Sequence, residues 1–298
     1  MKLISEYYGE ILSLITAIVW ASAVILFKKS GEKVHPIGLN LFKNSLAIVL
    51  IVPTMVLTAR PLLATAPGSD WLILLASGAL GIGIADTIFF QSLNILGAGR
   101  SSIVDCLYSP FIIGLSILWL GESLNLMQGI GVVMILSAVL AISGEKNTDS
   151  LTRGQLLLGI LLGVLAMAAM AVGIVIAKPI LDRNGLLWVT LTRLIGGVLV
   201  LLLFLLFHNG RASILRSIIT PGHRVYTYAG AFLGGYVSMI TWLAGMKFTH
   251  ASISAALNQT SNIFIFILAA LFLGERITPV RLFAIILGIT GAIIVGLA

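Results

Sequence analysis

Apolar positions fill this 298-residue chain in runs of about twenty, separated by short polar stretches. A helix rises 1.5 Å per residue, so about twenty residues cross the roughly 30 Å of hydrocarbon in a bilayer. Ten such runs can be read, over 9–28, 36–58, 71–95, 99–119, 126–143, 154–181, 186–207, 225–246, 250–273 and 280–297. The pattern predicts an all-α membrane protein of ten transmembrane helices. The gaps are too short to bury a core of their own, so no soluble domain is expected. The most polar stretch, from Ser143 to Gly154, divides five runs from five. An odd number of crossings turns the second half upside down relative to the first. The expected organisation is two inverted five-helix repeats, residues 1–143 and 154–298, joined by a polar linker at 144–153.

The few polar positions inside the runs also repeat. Ser101, Asp105 and Tyr108 stand at i, i+4, i+7 in the fourth run, and Ser254, Asn258 and Ser261 do so in the ninth. The offset of 153 residues between these stripes also lays Leu120-Gly121-Glu122 over Leu273-Gly274-Glu275. An offset of 150 brings Val24–Lys28 over Ile174–Lys178 and Lys43 onto Arg193. In lipid a polar stripe has to face protein or water, because its hydrogen bonds would otherwise go unmade. Two stripes in matching places predict one shared central cavity, the arrangement of a transporter built from repeats.

Ionisable residues inside the runs gather on one level. With side A defined as the side of the termini and side B as the other, Lys43, Asp86 and Asp105 each lie about 9–14 Å from the side-B end of their helix. Arg100 lies just outside them. Charges at such depth face inward and pair. Two readings are open: Lys43–Asp86 or Arg100–Asp105 is a fixed ion pair that orders the first half, or one acid titrates or meets substrate as a cavity opens and closes. Asp105, on the repeated stripe, is the better candidate for coupling to protons, and Asp86 the better one for pairing.

The second half lacks these acids; Asn258 stands opposite Asp105 in the alignment of halves. It keeps Arg193 and Lys247, which a substrate carboxylate or phosphate could compensate, or which snorkel to the membrane surface. Lys247, near a helix end, fits snorkelling better. Glu122 and Glu275, at helix C-termini, read as turn residues that cap neighbouring amides, and Lys28 and Lys178 as anchors suited to the C-terminal dipole. Trp20, Tyr108, Tyr236 and Trp242 are the aromatics nearest the expected cavity, with Tyr108 singled out by the face it shares with Asp105. Gly78, Gly81 and Gly83, and Gly230, Gly234 and Gly235, suggest close helix contacts or bends.

Composition agrees and excludes other classes. The chain is 59% hydrophobic and 10% charged, against roughly 25% charged in soluble domains. Its net charge of +7 fits loops that orient the chain better than a nucleic-acid partner. Eleven Lys and Arg fall on side B (Lys28, Lys29, Lys33, Arg100, Lys146, Arg153, Arg211, Arg216, Arg224, Arg276, Arg281) and five on side A (Lys2, Arg60, Lys178, Arg183, Lys247), which favours termini outside the cell. The single Cys106 rules out an intrachain disulfide and reads as a buried small side chain. No phosphate loop, zinc-ligand cluster or Gly-x-Ser-x-Gly elbow occurs, so no cofactor, metal or catalytic residue is expected.

Two five-helix halves, a basic residue early in each second helix (Lys43, Arg193), and a fourth helix ending in Leu-Gly-Glu resemble the EamA family of the drug/metabolite transporter superfamily. The first half also has a proline in that helix, in Tyr108-Ser109-Pro110-Phe111. The second departs from it, with Ser261-Asn262-Ile263-Phe264. The resemblance covers the whole chain and implies termini in the cytoplasm, against the charge count. The expected function is a secondary transporter, an exporter of a small polar or amphipathic metabolite by alternating access, coupled to protons or to the substrate gradient. The expected location is the plasma membrane of a bacterium or archaeon, with the lipid bilayer and a small-molecule substrate as partners. A monomer suffices if both halves form one cavity. An intramembrane enzyme or lipid-handling protein, and a passive channel, are the alternatives.

Overall fold

Local signals in the sequence set where the helices begin and end. Pro36 opens one at its first turn behind His35, whose ring accepts the Ile37 N–H, a place where proline's missing donor costs nothing. Thr152 and Gln155 form a reciprocal capping box ahead of the longest helix. Gly274, at φ +66°, ends another in the left-handed conformation that favours glycine. The computed structural model describes residues 7–62, 66–120, 125–143, 151–219, 223–249, 254 and 257–297. Gly121, Glu122, His250, Lys2, Lys146 and most of the expected linker lie outside the described residues.

The described residues form helices only: α1 (Tyr8–Ser30), α2 (Pro36–Leu57), α3 (Gly68–Leu96), α4 (Ala98–Asp105), α5 (Tyr108–Leu120), α6 (Leu126–Ser143), α7 (Arg153–Arg183), α8 (Leu186–Phe207), α9 (Arg211–Ile218), α10 (Arg224–Phe248), α11 (Leu257–Leu273) and α12 (Pro279–Leu297). Six of them, α1, α2, α3, α7, α8 and α10, are long and apolar enough to cross a bilayer; α6, α11 and α12 are shorter apolar helices. Side chains such as Leu57, Leu72, Leu118, Phe207 and Phe283 point outward, as lipid contact allows and water does not.

Three departures from the expected helices have local causes. The run 99–119 is split between α4 and α5 at Cys106–Leu107, where hydrogen bonds shorten to three residues. Pro110 explains the break: its ring clashes with the carbonyl four residues back, that of Cys106. A similar turn interrupts α11 at Thr260 without a proline, where the Thr260 hydroxyl donates to Leu257 O at 2.6 Å. Second, α3 widens into a π-helix over Ala79–Ile84, and α10 over Ala231–Val237. The Asn40 amide of α2 donates to Ile82 O and Gly83 O of the first widened turn at 2.8 and 2.9 Å, satisfying carbonyls that a π turn displaces. Third, the connection before α10 holds the short α9, seated by the buried Ile214.

Packing is reciprocal between the halves. α3 lies on α7 and α8, while α10 lies on α1 and α2; α5 meets α7, and α11 meets α1; α6 pairs with α12. Glycines mark the closest approaches. A Cβ at Gly131 would stand 2.7 Å from Gly291 O, and one at Gly291 2.7 Å from Gly131 O. Polar atoms close the helix ends. Lys28 Nζ donates to Asn94 O (2.8 Å), and Lys247 Nζ to Leu181 O and Asn184 O (2.9 and 2.6 Å), so both lysines cap carbonyls of a neighbouring helix instead of snorkelling or anchoring. Glu275 does cap amides, but those of α4, accepting from Ala98 N and Gly99 N at 2.7 and 2.9 Å. Asp70, buried at the start of α3, takes both Nε and Nη2 of Arg183 at the end of α7.

Candidate functional site

Between the halves lies a cavity of about 160 Å³, room for several water-sized groups. Its wall draws on α1, α2, α3, α4, α5, α7, α8, α10 and α11. Of the residues marked out by sequence, Trp20, Lys43, Asp86, Asp105, Tyr108, Arg193, Trp242, Asn258 and Ser261 line it.

The bases at matching positions are held the same way. Each has its backbone under a glycine from the third long helix of the other half. A Cβ on Gly235 would stand 2.9 Å from Lys43 O, and one on Gly78 only 1.8 Å from Arg193 O. These crossings fix where both side chains leave the backbone. Lys43, 1% exposed, pairs with Asp86. The Lys43 ammonium also lies 5.4 Å from the centre of the Phe90 ring. Asp86 follows the π turn of α3, whose extra residue swings it toward α2.

Arg193 has no acid partner among the described residues. Its Nε donates to Ser77 Oγ at 2.9 Å, and Ser77 in turn donates to Gly173 O at 2.5 Å. Its guanidinium carbon is 5.9 Å from the Trp242 ring centre, and its Nη1 is buried without a partner. Asp105 likewise has no hydrogen bond or ion pair among the described residues and opens onto the cavity. It does not bond to Arg100. Five residues apart on a helix, the two side chains diverge, since only positions three or four apart face each other. Arg100 is 3% exposed and stands outside the lining.

Two stripe residues also fall outside the lining. Ser101 is buried with its hydroxyl unpartnered. Ser254 bonds to Ser13 Oγ at 2.9 Å, where α1 meets the ninth run, and serves packing. The i, i+4, i+7 spacing implied one face for all three members of each stripe, but only the two on either side of the turns at 106–107 and 260 reach the lining, and the first member of each does not. Asn258 keeps the cavity position, its Nδ2 reaching back 3.4 Å to Ser254 Oγ and its Oδ1 unpartnered. Sequence reasoning missed Thr16, Met167, Met170, Ser238, Gln259 and Asn262, which complete the wall. Thr16 and Ser238 are small polar residues inside apolar runs, a signal that was available; the methionines carry none.

Comparison with known proteins agrees with this geometry. The profile of the EamA-like transporter family matches residues 7–144 and again 157–297. An uncharacterized transporter of the archaeon Archaeoglobus fulgidus is 26% identical over 289 residues, 94% of this chain and 95% of that protein. An uncharacterized transporter in the cobO 3' region of Sinorhizobium sp. is 35% identical over 77 residues, 26% of this chain and 54% of that protein. A solved crystal structure shares the fold, with a TM-score of 0.70, 17% identity and 96% of each chain covered. The chain belongs to the EamA-like transporter family of the drug/metabolite transporter superfamily, and is an integral, multi-pass membrane transporter.

Proposed function

We propose that this protein exports a small polar or amphipathic metabolite by alternating access of two inverted halves, 1–143 and 154–298, across the plasma membrane of a bacterium or archaeon. The observation that carries this is a cavity whose wall is contributed by both halves and which holds an unbonded carboxyl, Asp105. The exchange of contacts, α3 on α7 and α8 against α10 on α1 and α2, supports two halves that rock against each other about that cavity. The capping bonds at helix ends, from Lys28 and Glu275 and from Lys247, are the kind of contact that can break and reform with little cost.

Asp105 is the proposed proton carrier, since Asp86 is engaged by Lys43. Asp105→Asn should abolish transport or its pH dependence, with expression close to wild type. Asparagine already stands at the matching position 258, so the amide fits and the change removes mainly a charge and a titratable proton. Counterflow in proteoliposomes at several pH values reads this. Unchanged transport with an unchanged pH profile makes Asp105 structural. The same assay separates a carrier from a channel, which gains no rate from trans-substrate, and from an enzyme, which alters the molecule.

On the charge count, the termini lie outside. A C-terminal fluorescent reporter that matures only in the cytoplasm then stays dark; a bright fusion reverses the orientation.

A further inference from the structure

We propose that Arg193 is the docking point for a negatively charged group, carboxylate or phosphate, on the transported molecule; this rests on the cavity's being the transport site. The hydrogen bonds of Arg193 are an unfinished set. Arg193 is 2% exposed, and the guanidinium has five donors. One, on Nε, goes to Ser77. Ser77 has given its own proton to Gly173 O, so its oxygen is left to accept, and the guanidinium plane is set by that bond. Nη1 is buried with no acceptor among the described residues.

The charge has no acid in direct contact: Asp86 acts on Arg193 through space without touching it. The two acids in the wall are Asp86, taken by Lys43, and Asp105, which makes no contact with Arg193. A buried arginine with neither a carboxylate nor a full set of acceptors is costly. Its backbone packs against Gly78, and the bond from Nε to Ser77 holds the side chain inward. An unsatisfied cation facing a cavity gains most from an arriving anion, and the planar fork of arginine matches two oxygens of a carboxylate or phosphate. A second donor waits in the same wall: the Tyr108 hydroxyl is buried and has no partner among the described residues. The face of Trp242, with Trp20 and Met170, leaves an apolar wall for the rest of the molecule. A neutral amide offers one acceptor oxygen and no charge, and a cationic analogue repels Arg193, so the site discriminates by charge.

The test uses the full-length protein purified in detergent, read by tryptophan fluorescence and by thermal melting. The probes are benzoate, benzamide as its neutral counterpart, and inorganic phosphate. Benzoate, phosphate or both should give a saturable change that benzamide lacks, and which anion does so separates a carboxylate substrate from a phosphate one. Arg193→Gln should fold, since no acid loses its partner, and should weaken anion binding at least tenfold. Arg193→Lys should fall between. Tyr108→Phe, which removes one oxygen, should weaken it about threefold and keeps the test open if Arg193→Gln yields no protein. Equal responses to benzoate and benzamide, no response to either anion up to 50 mM (roughly tenfold above a weak millimolar site), or anion binding that survives both substitutions overturns the assignment. Binding is measured without transport, so anion binding that depends on Arg193 alongside failed counterflow would sink the transport reading and leave Arg193 as an anion-binding residue only, whereas counterflow without such binding would sink the anion assignment alone.

Discussion

Replacing Asp86 with asparagine is expected to cut the yield of folded protein severalfold. The substitution leaves the Lys43 ammonium, 1% exposed, without the carboxylate it pairs with. Removing one partner of a buried ion pair costs about 3–5 kcal/mol, because the remaining charge keeps its desolvation penalty. That is comparable to the whole stability margin of many proteins. The Phe90 ring near the buried ammonium offsets about 2 kcal/mol, less than the loss. Lys43→Met combined with Asp86→Leu removes both charges and should recover much of the lost yield. Monodisperse protein after size exclusion, compared across the three variants, is the measurement. Equal yield from the single substitution and wild type would mean that Lys43 finds water or another partner, and that the pair does not order the first half.

The second large effect is expected at Gly78. Alanine there would place its Cβ 1.8 Å from Arg193 O, a backbone atom that cannot turn aside as a side chain can. α3 and α8 must separate, and the crossing that aims Arg193 into the cavity opens. Overpacking a close-packed site costs about 1–3 kcal/mol or more, and a clash with backbone belongs at the upper end. Gly78→Ala should therefore lower the melting temperature in detergent and, in whatever protein survives, disturb the fluorescence of Trp242 beneath Arg193. Gly68→Ala, at a position with nothing within 4 Å, is the control and should be close to neutral. A Gly78→Ala protein that melts with wild type would show that the crossing relaxes easily.

Most helix positions were legible in the sequence because lipid imposes a simple rule on length and polarity. The runs 126–143 and 186–207 coincide with α6 and α8, and the other long helices differ by three residues or fewer at their ends. Breaks within helices were harder to read. Pro110 was visible, yet its effect falls four residues earlier, on the carbonyl of Cys106, so the turn sits between Asp105 and Tyr108, which both still reach the cavity. The π turn of α3 depends on Asn40, which comes from a different helix and gives no local signal. The cavity followed the same division. Charged residues announced themselves because charge is rare in a bilayer, and Lys43, Asp86, Asp105 and Arg193 all reach the wall. Depth along the helices singled out Asp86 as the better pairing acid, and Lys43–Asp86 is the pair formed, while Arg100–Asp105 does not form.

The widened turns of α3 and α10 bear on how such a chain can change length over time. The first holds six residues, 79–84, and the second seven, 231–237. The halves are thus offset by 152 residues where these turns begin and by 153 where they end, and 153 is the offset that the stripes of the fourth and ninth runs keep. One residue gained in an ordinary α-helix rotates everything after it by about 100°, which would carry a cavity-facing side chain toward lipid. A turn that is already loose can take up the newcomer and leave the downstream faces where they were. In α10 the residues after that turn, Ser238, Met239 and Trp242, still face the cavity. These turns are therefore the places where an insertion or deletion is tolerated within the span of a helix, a tolerance ordinarily reserved for loops.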